Sequence, residues 1–204
     1  MSATDDLFRE LVRDDVSDDD IMFVIRQGAN VNARWSDGGV TPLMLAAESL
    51  GAEIVQLLIN EGAAVNARSD KGETALMRAA ILNRDADVTY TLIEAGAYVN
   101  ITNEDGRTAL MYAANNNPNP DVIKYLVRAG ADINHRENEY GKTALMIAAW
   151  RNPNTEIVQL LIDLGADVHA KNFEGNTALT YADYDDDNPS RSAKVKSILL
   201  QAMK

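Results

Sequence analysis

His135 and His169 are the only two histidines in the chain, and there is no cysteine. Disulfides, thiolate catalysis and Cys-ligated zinc are therefore excluded. The two histidines fall in adjacent segments of similar wording, too far apart to share a metal, and neither has a third ligand beside it. Serines and threonines lack a neighbouring base. The abundant carboxylates sit at turns and helix starts, where backbone capping accounts for them. Gly72-Glu73-Thr74 and Gly106-Arg107-Thr108 read as turn exits into helix caps, not phosphate cradles. The run Asp185-Asp186-Asp187 reads as a solvated loop. No catalytic residue, metal site or cofactor is expected, and the chain reads as non-enzymatic. The chemistry left to it is recognition, through aromatic side chains with large rigid contact areas and arginines able to hold a carboxylate bidentately.

The elements that position those side chains recur. Thr41-Pro-Leu-Met-Leu-Ala-Ala47 returns as Thr74–Ala80, Thr108–Ala114 and Thr143–Ala149, then altered as Thr177-Ala-Leu-Thr-Tyr-Ala-Asp183. The threonines are 33, 34, 35 and 34 residues apart, and a Gly-Ala step recurs at Gly28, Gly62, Gly96, Gly130 and Gly165. A fixed period of this length means stacked units, each burying its apolar face against its neighbours. Within one unit, Thr41 suits an N-cap and Pro42 the first helical position. Leu43, Ala46 and Ala47 then share a helical face. A second helix starts near Glu53, carries Ile54, Leu57 and Leu58 inward, and ends at Gly62 as a left-handed C′ residue. Each helix is too short to persist alone, so stacking must supply the stability. The paired alanines let neighbouring first helices approach to roughly 8–10 Å.

T-x-L-x-x-A-A followed by G-A-x-[VI]-N resembles the signature of the ankyrin-repeat family, over nearly all of residues 20–180. The resemblance implies an all-α solenoid of helix–turn–helix units with projecting β-hairpin-like fingers, about six units including two caps. It also implies protein binding on a concave face made of finger tips and first helices. The family often has His after T-P-L; Met44, Met77, Met111 and Met146 stand there instead, as apolar fillers between repeats. The wording is similar to bacterial ankyrin proteins.

A single domain is expected, with an N-terminal capping repeat at 1–37, full repeats at 38–71, 72–105, 106–140 and 141–174, and a C-terminal cap at 175–204. In the first cap Leu7, Phe8, Leu11 and Val12 form one helical face, and Asp18-Asp19-Asp20 opens a second helix. In the last, Thr180 and Asp183 suit a face meeting water. Asn188-Pro189-Ser190 then starts a helix whose Val195, Ile198, Leu199 and Ala202 make an apolar stripe. Two fingers, 32–41 and 134–143, are one residue longer than the others. Repeat two has Thr89 and Thr91 where other repeats place Val55/Leu57, Ile123/Tyr125 or Val158/Leu160; Thr is close to Val in shape but carries a hydroxyl, so weaker packing is expected there.

Aligned repeats also expose a variable ladder on the first helices: Leu45, Arg78, Tyr112, Ile147 and Tyr181, and three residues on, Glu48, Ile81, Asn115, Trp150 and Tyr184. Positions that pack against an identical neighbour should stay alike, so variation marks a face free for a partner. With finger residues Trp35, Tyr140 and Phe173 and the anchors Arg78, Arg107 and Arg151, this gives an expected contact set. Its members are Trp35, Arg78, Ile81, Arg107, Tyr112, Asn115, Tyr140, Ile147, Trp150, Arg151, Phe173 and Tyr181. The competing reading half-buries the tyrosines between helices; Trp150 is expected to be exposed. The net charge of −12, from 31 acidic and 19 basic residues, repels phosphate, so no direct nucleic-acid binding is expected. A monomeric adaptor or inhibitor that binds a protein is the leading reading. An acidic decoy for a basic or nucleic-acid-binding protein is the alternative. No export signal and no bilayer-spanning run are read, so a cytoplasmic protein without membrane contact is expected.

Overall fold

The computed structural model describes residues 2–13, 15–184 and 188–204. The acidic run 185–187 lies outside the described residues. Among them are twelve α-helices and no strand. They are α1 (Ala3–Glu10), α2 (Asp18–Arg26), α3 (Pro42–Ser49), α4 (Ala52–Asn60), α5 (Ala75–Leu82), α6 (Ala86–Glu94), α7 (Ala109–Asn116), α8 (Pro120–Arg128), α9 (Ala144–Arg151), α10 (Glu156–Asp163), α11 (Ala178–Tyr181) and α12 (Pro189–Ala202). The chain divides into two compact units, 1–98 and 99–204. In the first, α3 packs on α5, while α2, α4 and α6 form the second row. In the second, α7, α9 and α11 form one row and α8, α10 and α12 the other. No helix among the described residues is long and apolar enough to cross a membrane.

The repeated phrase explains the first row. The hydroxyls of Thr41, Thr74, Thr108 and Thr143 each accept the N–H of the methionine three residues on, at 3.3–3.4 Å. That satisfies one of the orphan donors at each helix start. Met44, Met77, Met111 and Met146 are at most 2% exposed, and the alanine pairs are fully buried. In the second row, Gly62 has φ +88° and its counterparts are equally left-handed. The Ala63 N–H then donates to the Leu58 carbonyl at 2.9 Å and the Gly62 N–H to Ile59 at 3.0 Å. This is a Schellman closure, and it recurs at Ala97, Ala131 and Ala166.

Two asparagine ladders join successive repeats within each unit. Asn32 donates to the Gly62 carbonyl at 2.9 Å and accepts the Ala64 N–H at 2.7 Å. Asn66, Asn100 and Asn134 repeat the pattern toward Gly96, Gly130 and Gly165. His169 takes the same register position in the last full repeat and, among the described residues, shows no such bond to a later glycine. The second ladder caps helix ends. The Asn83 amide donates to the Ala47 and Leu50 carbonyls, closing α3. Asn152 does the same for α7 through Ala113, Ala114 and Asn117. For α9 the donor is Arg191, 9% exposed, whose guanidinium reaches the carbonyls of Ala148, Ala149, Trp150 and Asn152.

The ends depart from the expected stripes. Leu7, Phe8 and Leu11 are buried, but Val12 is 60% exposed because α1 ends at Glu10 and the chain turns away. Both N-terminal helices carry a serine capping box, Ser2 with Asp5 and Ser17 with Asp20. In α12, Val195 and Leu199 face inward with Arg191 and Ser192, while Ala202 is exposed. Helix α11 is only four residues long. In repeat two, Thr89 is fully buried and its hydroxyl has no hydrogen-bond partner.

Candidate functional site

Each finger is closed by one backbone bond across its base. It runs Ser69 N–H to Glu73, Asn103 to Arg107 and Asn172 to Asn176, four residues apart. In the two long fingers it spans five, Trp35 to Val40 and Glu137 to Lys142. A polar side chain normally fills the loop inside. The Asn103 carbonyl oxygen accepts the Arg107 N–H at 2.8 Å, and Asn172 accepts from Glu174 and Asn176. Glu137 does this work in the longer loop. It is 1% exposed, and its carboxylate accepts the N–H groups of Glu139 (2.8 Å), Tyr140 (2.9 Å) and Lys142 (3.1 Å). Burial pushes its pKa up, but the three N–H bonds and the Lys142 charge outweigh that and hold it below the usual carboxylate range.

Gly141 completes this finger at φ +71°, and the Phe173 ring stands so close that a Cβ there would meet it at 2.7 Å. The Phe173 N–H donates to the Tyr140 carbonyl at 2.8 Å, and the Arg136 guanidinium lies 4.9 Å from the Phe173 ring. Finger 137–142 thereby holds Tyr140 and Lys142 over the start of α9. The Lys142 ammonium lies 4.3 Å from the Tyr140 ring centre and 5.6 Å from that of Trp150. Arg151 covers Trp150 at 4.0 Å. Beyond Trp150, the Tyr181 ring follows at 6.1 Å and Tyr184 at a further 5.4 Å.

A pocket of about 190 Å³ opens here, between α7, α9 and the finger. Its walls include Arg107, Tyr112, Asn115, Tyr140, Ile147, Trp150 and Arg151. Four residues of the aligned ladder, Tyr112, Asn115, Ile147 and Trp150, thus share one cavity with the finger aromatic Tyr140 and the arginines Arg107 and Arg151. Lys142, Glu139 and Met111 complete the lining. Lys142 was not anticipated, because a lysine ahead of a Thr cap reads as solvated.

Several members of the expected set have other duties. Arg78 forms ion pairs with Glu48 (2.7 Å) and Glu73 (2.9 Å). Burial alone would lower its pKa, and the two carboxylates more than offset this and raise it. The Tyr112 hydroxyl accepts from the Asn103 amide at 3.0 Å, and Tyr181 accepts from Asn172 at 3.0 Å. At three of the five residues of this register position, Arg78, Tyr112 and Tyr181, the side chain thus bonds a polar residue of its own finger. Tyr181 is 6% exposed and Ile147 7%, buried rather than free. Trp150 is half-buried rather than exposed, because Lys142, Arg151 and Tyr181 pack around its ring. Ile81 is half-buried on α5. Trp35 is 40% exposed and occupies the finger-base position held by Glu137 in its counterpart. It packs edge-on against Phe8 at 4.8 Å. Phe173 remains 64% exposed.

His135 is half-buried, with its ring Nε2 2.9 Å from the Gly106 carbonyl, and His169 is exposed. Among the described residues no group of three or more His, Asp or Glu is placed to hold a metal ion. Comparison with curated proteins finds no match to the chain. The model of ankyrin repeats (3 copies) matches residues 12–103, 80–172 and 138–188, spanning both compact units and nearly every helix pair described above, and the chain belongs to the ankyrin-repeat family.

Proposed function

We propose that the chain is a non-enzymatic adaptor or inhibitor that grips a protein partner with first helices and finger tips, centred on the pocket between α7, α9 and finger 137–142. Ankyrin repeats are general protein–protein interaction modules. The observation that carries the reading is that cavity, where Tyr112, Tyr140 and Trp150 converge with Arg107, Lys142 and Arg151. Aromatic and arginine side chains in such a setting dominate binding energy at protein interfaces. Asn115 and Phe173 are the outer members of this contact surface, with Ile147 and Tyr181 supporting from beneath; Trp35, Arg78 and Ile81 are proposed as partner contacts of the unit 1–98. The protein acts as a cytoplasmic monomer, without nucleic acid or membrane.

The acidic-decoy alternative draws on the net charge of −12. Affinity capture with the intact chain and with a Trp150→Ala/Tyr112→Ala variant separates the two. The proposal expects partners to be lost by the variant, by about 2 kcal/mol of affinity or more, and retained by the intact chain at 500 mM salt. Partners indifferent to the variant and released by salt would overturn it in favour of the decoy.

A further inference from the structure

The pocket has the wrong sign for its protein. In a chain of net charge −12, its lining holds three cations, Arg107, Lys142 and Arg151, against one carboxylate, the exposed Glu139. Glu139 faces Tyr140, whose phenol it pushes above the usual range. Glu137 lies beneath, with its oxygens committed to three backbone N–H groups.

Lys142 is only 8% exposed. Among the described residues no carboxylate oxygen lies within ion-pairing distance, 4.0 Å, of its ammonium. The same holds for Arg107 and Arg151, and the Arg107 Nε is buried without a hydrogen-bond partner. Arg78, on α5, shows the ordinary arrangement, with two carboxylates. The ring faces and the charge of Glu137 beneath, which makes no ion pair with it, compensate the Lys142 ammonium only partly. A buried cation with open donors is completed by an anion. The remaining walls are the Asn115 amide and an apolar part, Met111, Ile147 and the three rings, which suits the hydrocarbon portion of a side chain.

We infer that this pocket receives the carboxylate of a glutamate or aspartate side chain on an acidic–aliphatic segment of the partner protein, held by Lys142, Arg107 and Arg151. The inference rests on the interaction role proposed above and names the partner chemistry of that site.

The test is a titration of the full ¹⁵N-labelled chain, following the Trp150 indole resonance, with Trp35→Phe used for its assignment. The probes are end-blocked peptides Gly-Leu-X-Leu-Gly, with X as glutamate, glutamine, lysine or phosphoserine. The glutamate peptide should shift the Trp150 resonance, and the glutamine peptide should bind roughly tenfold more weakly or worse. Lys142→Met should abolish that preference. Should this variant not fold, Arg151→Gln, at an exposed site, should narrow the preference several-fold. Equal binding of the glutamate and glutamine peptides, preference for lysine or phosphoserine, or no shift with any peptide would each overturn the assignment. If partner capture still depends on Trp150 in those cases, only the carboxylate assignment falls. Loss of that dependence removes the interaction reading as well.

Discussion

Glu137 shows how one side chain can be misread from sequence. A carboxylate at a turn reads as one more backbone cap, with nothing to mark it as buried, yet here it is 1% exposed and organises the finger that frames the pocket. The available signal was positional. Glu137 sits where Ser69, Asn103 and Asn172 sit in their own fingers, but one residue further from the following threonine cap. Extra length leaves more N–H groups pointing inward, and a carboxylate accepts more of them than an amide oxygen can. Because its pKa is lowered on folding, its stabilisation is present above the ordinary carboxylate range and lost as pH falls through the folded-state value. Glu137→Gln should therefore cost about 1–3 kcal/mol at neutral pH. Denaturant melts of both proteins should converge as the pH is lowered toward the acid limb; a gap that stays constant with pH would assign the cost to shape instead of charge. The aromatic residues were more legible. Tyr112 and Trp150, read from register, and Tyr140, read as a finger aromatic, converge on one cavity. The half-burial of Tyr112 matches the competing reading, while that of Trp150 departs from the expected exposure, because sequence alone does not show which ring a neighbouring cation will hold.

Most elements could be read directly, since a threonine cap, a buried alanine pair and a left-handed glycine each mark a boundary with its own physical cause. What escaped notice was how elements are tied together across the period. Asn83, Asn117 and Asn152 recur at the repeat length, and Asn83 and Asn152 each close the end of the preceding first helix. Their roles need the neighbour's carbonyls in view. In α12 the stripe through Val195 and Leu199 is legible in the sequence, while nothing there marks Arg191 as buried. Four carbonyls at the end of α9 meet its guanidinium instead. Arg191→Met, which keeps the stem, should destabilise the protein by about 2–4 kcal/mol, measured by urea denaturation; an unchanged midpoint would mean those carbonyls are satisfied otherwise. Helix α6 presents the opposite case. Its buried Thr89 hydroxyl finds no partner, so amide exchange should be faster in α6 than in α4, α8 or α10. Thr89→Val should add about 1 kcal/mol. Slow exchange in α6, or a loss of stability on substitution, would contradict this.

At the scale of the whole molecule, net charge is a poor guide to the surface that matters. The overall −12 favours a basic partner, whereas the cavity between α7, α9 and finger 137–142 concentrates arginine, lysine and aromatic side chains. Long-range charge governs encounter and solubility. Local complementarity governs what stays bound. The repeat arrangement makes both possible, because identical residues are spent on joining units and the remaining positions vary without threatening the stack. The most direct measurement of the central claim is photo-crosslinking in extract of cells expressing the protein. A benzophenone side chain replaces either Arg151, at the pocket, or Gln159, exposed on α10. The account predicts protein adducts from position 151 that disappear with Trp150→Ala, and none of the same adducts from position 159. Adducts from position 159 alone, or from both positions regardless of Trp150, would contradict it.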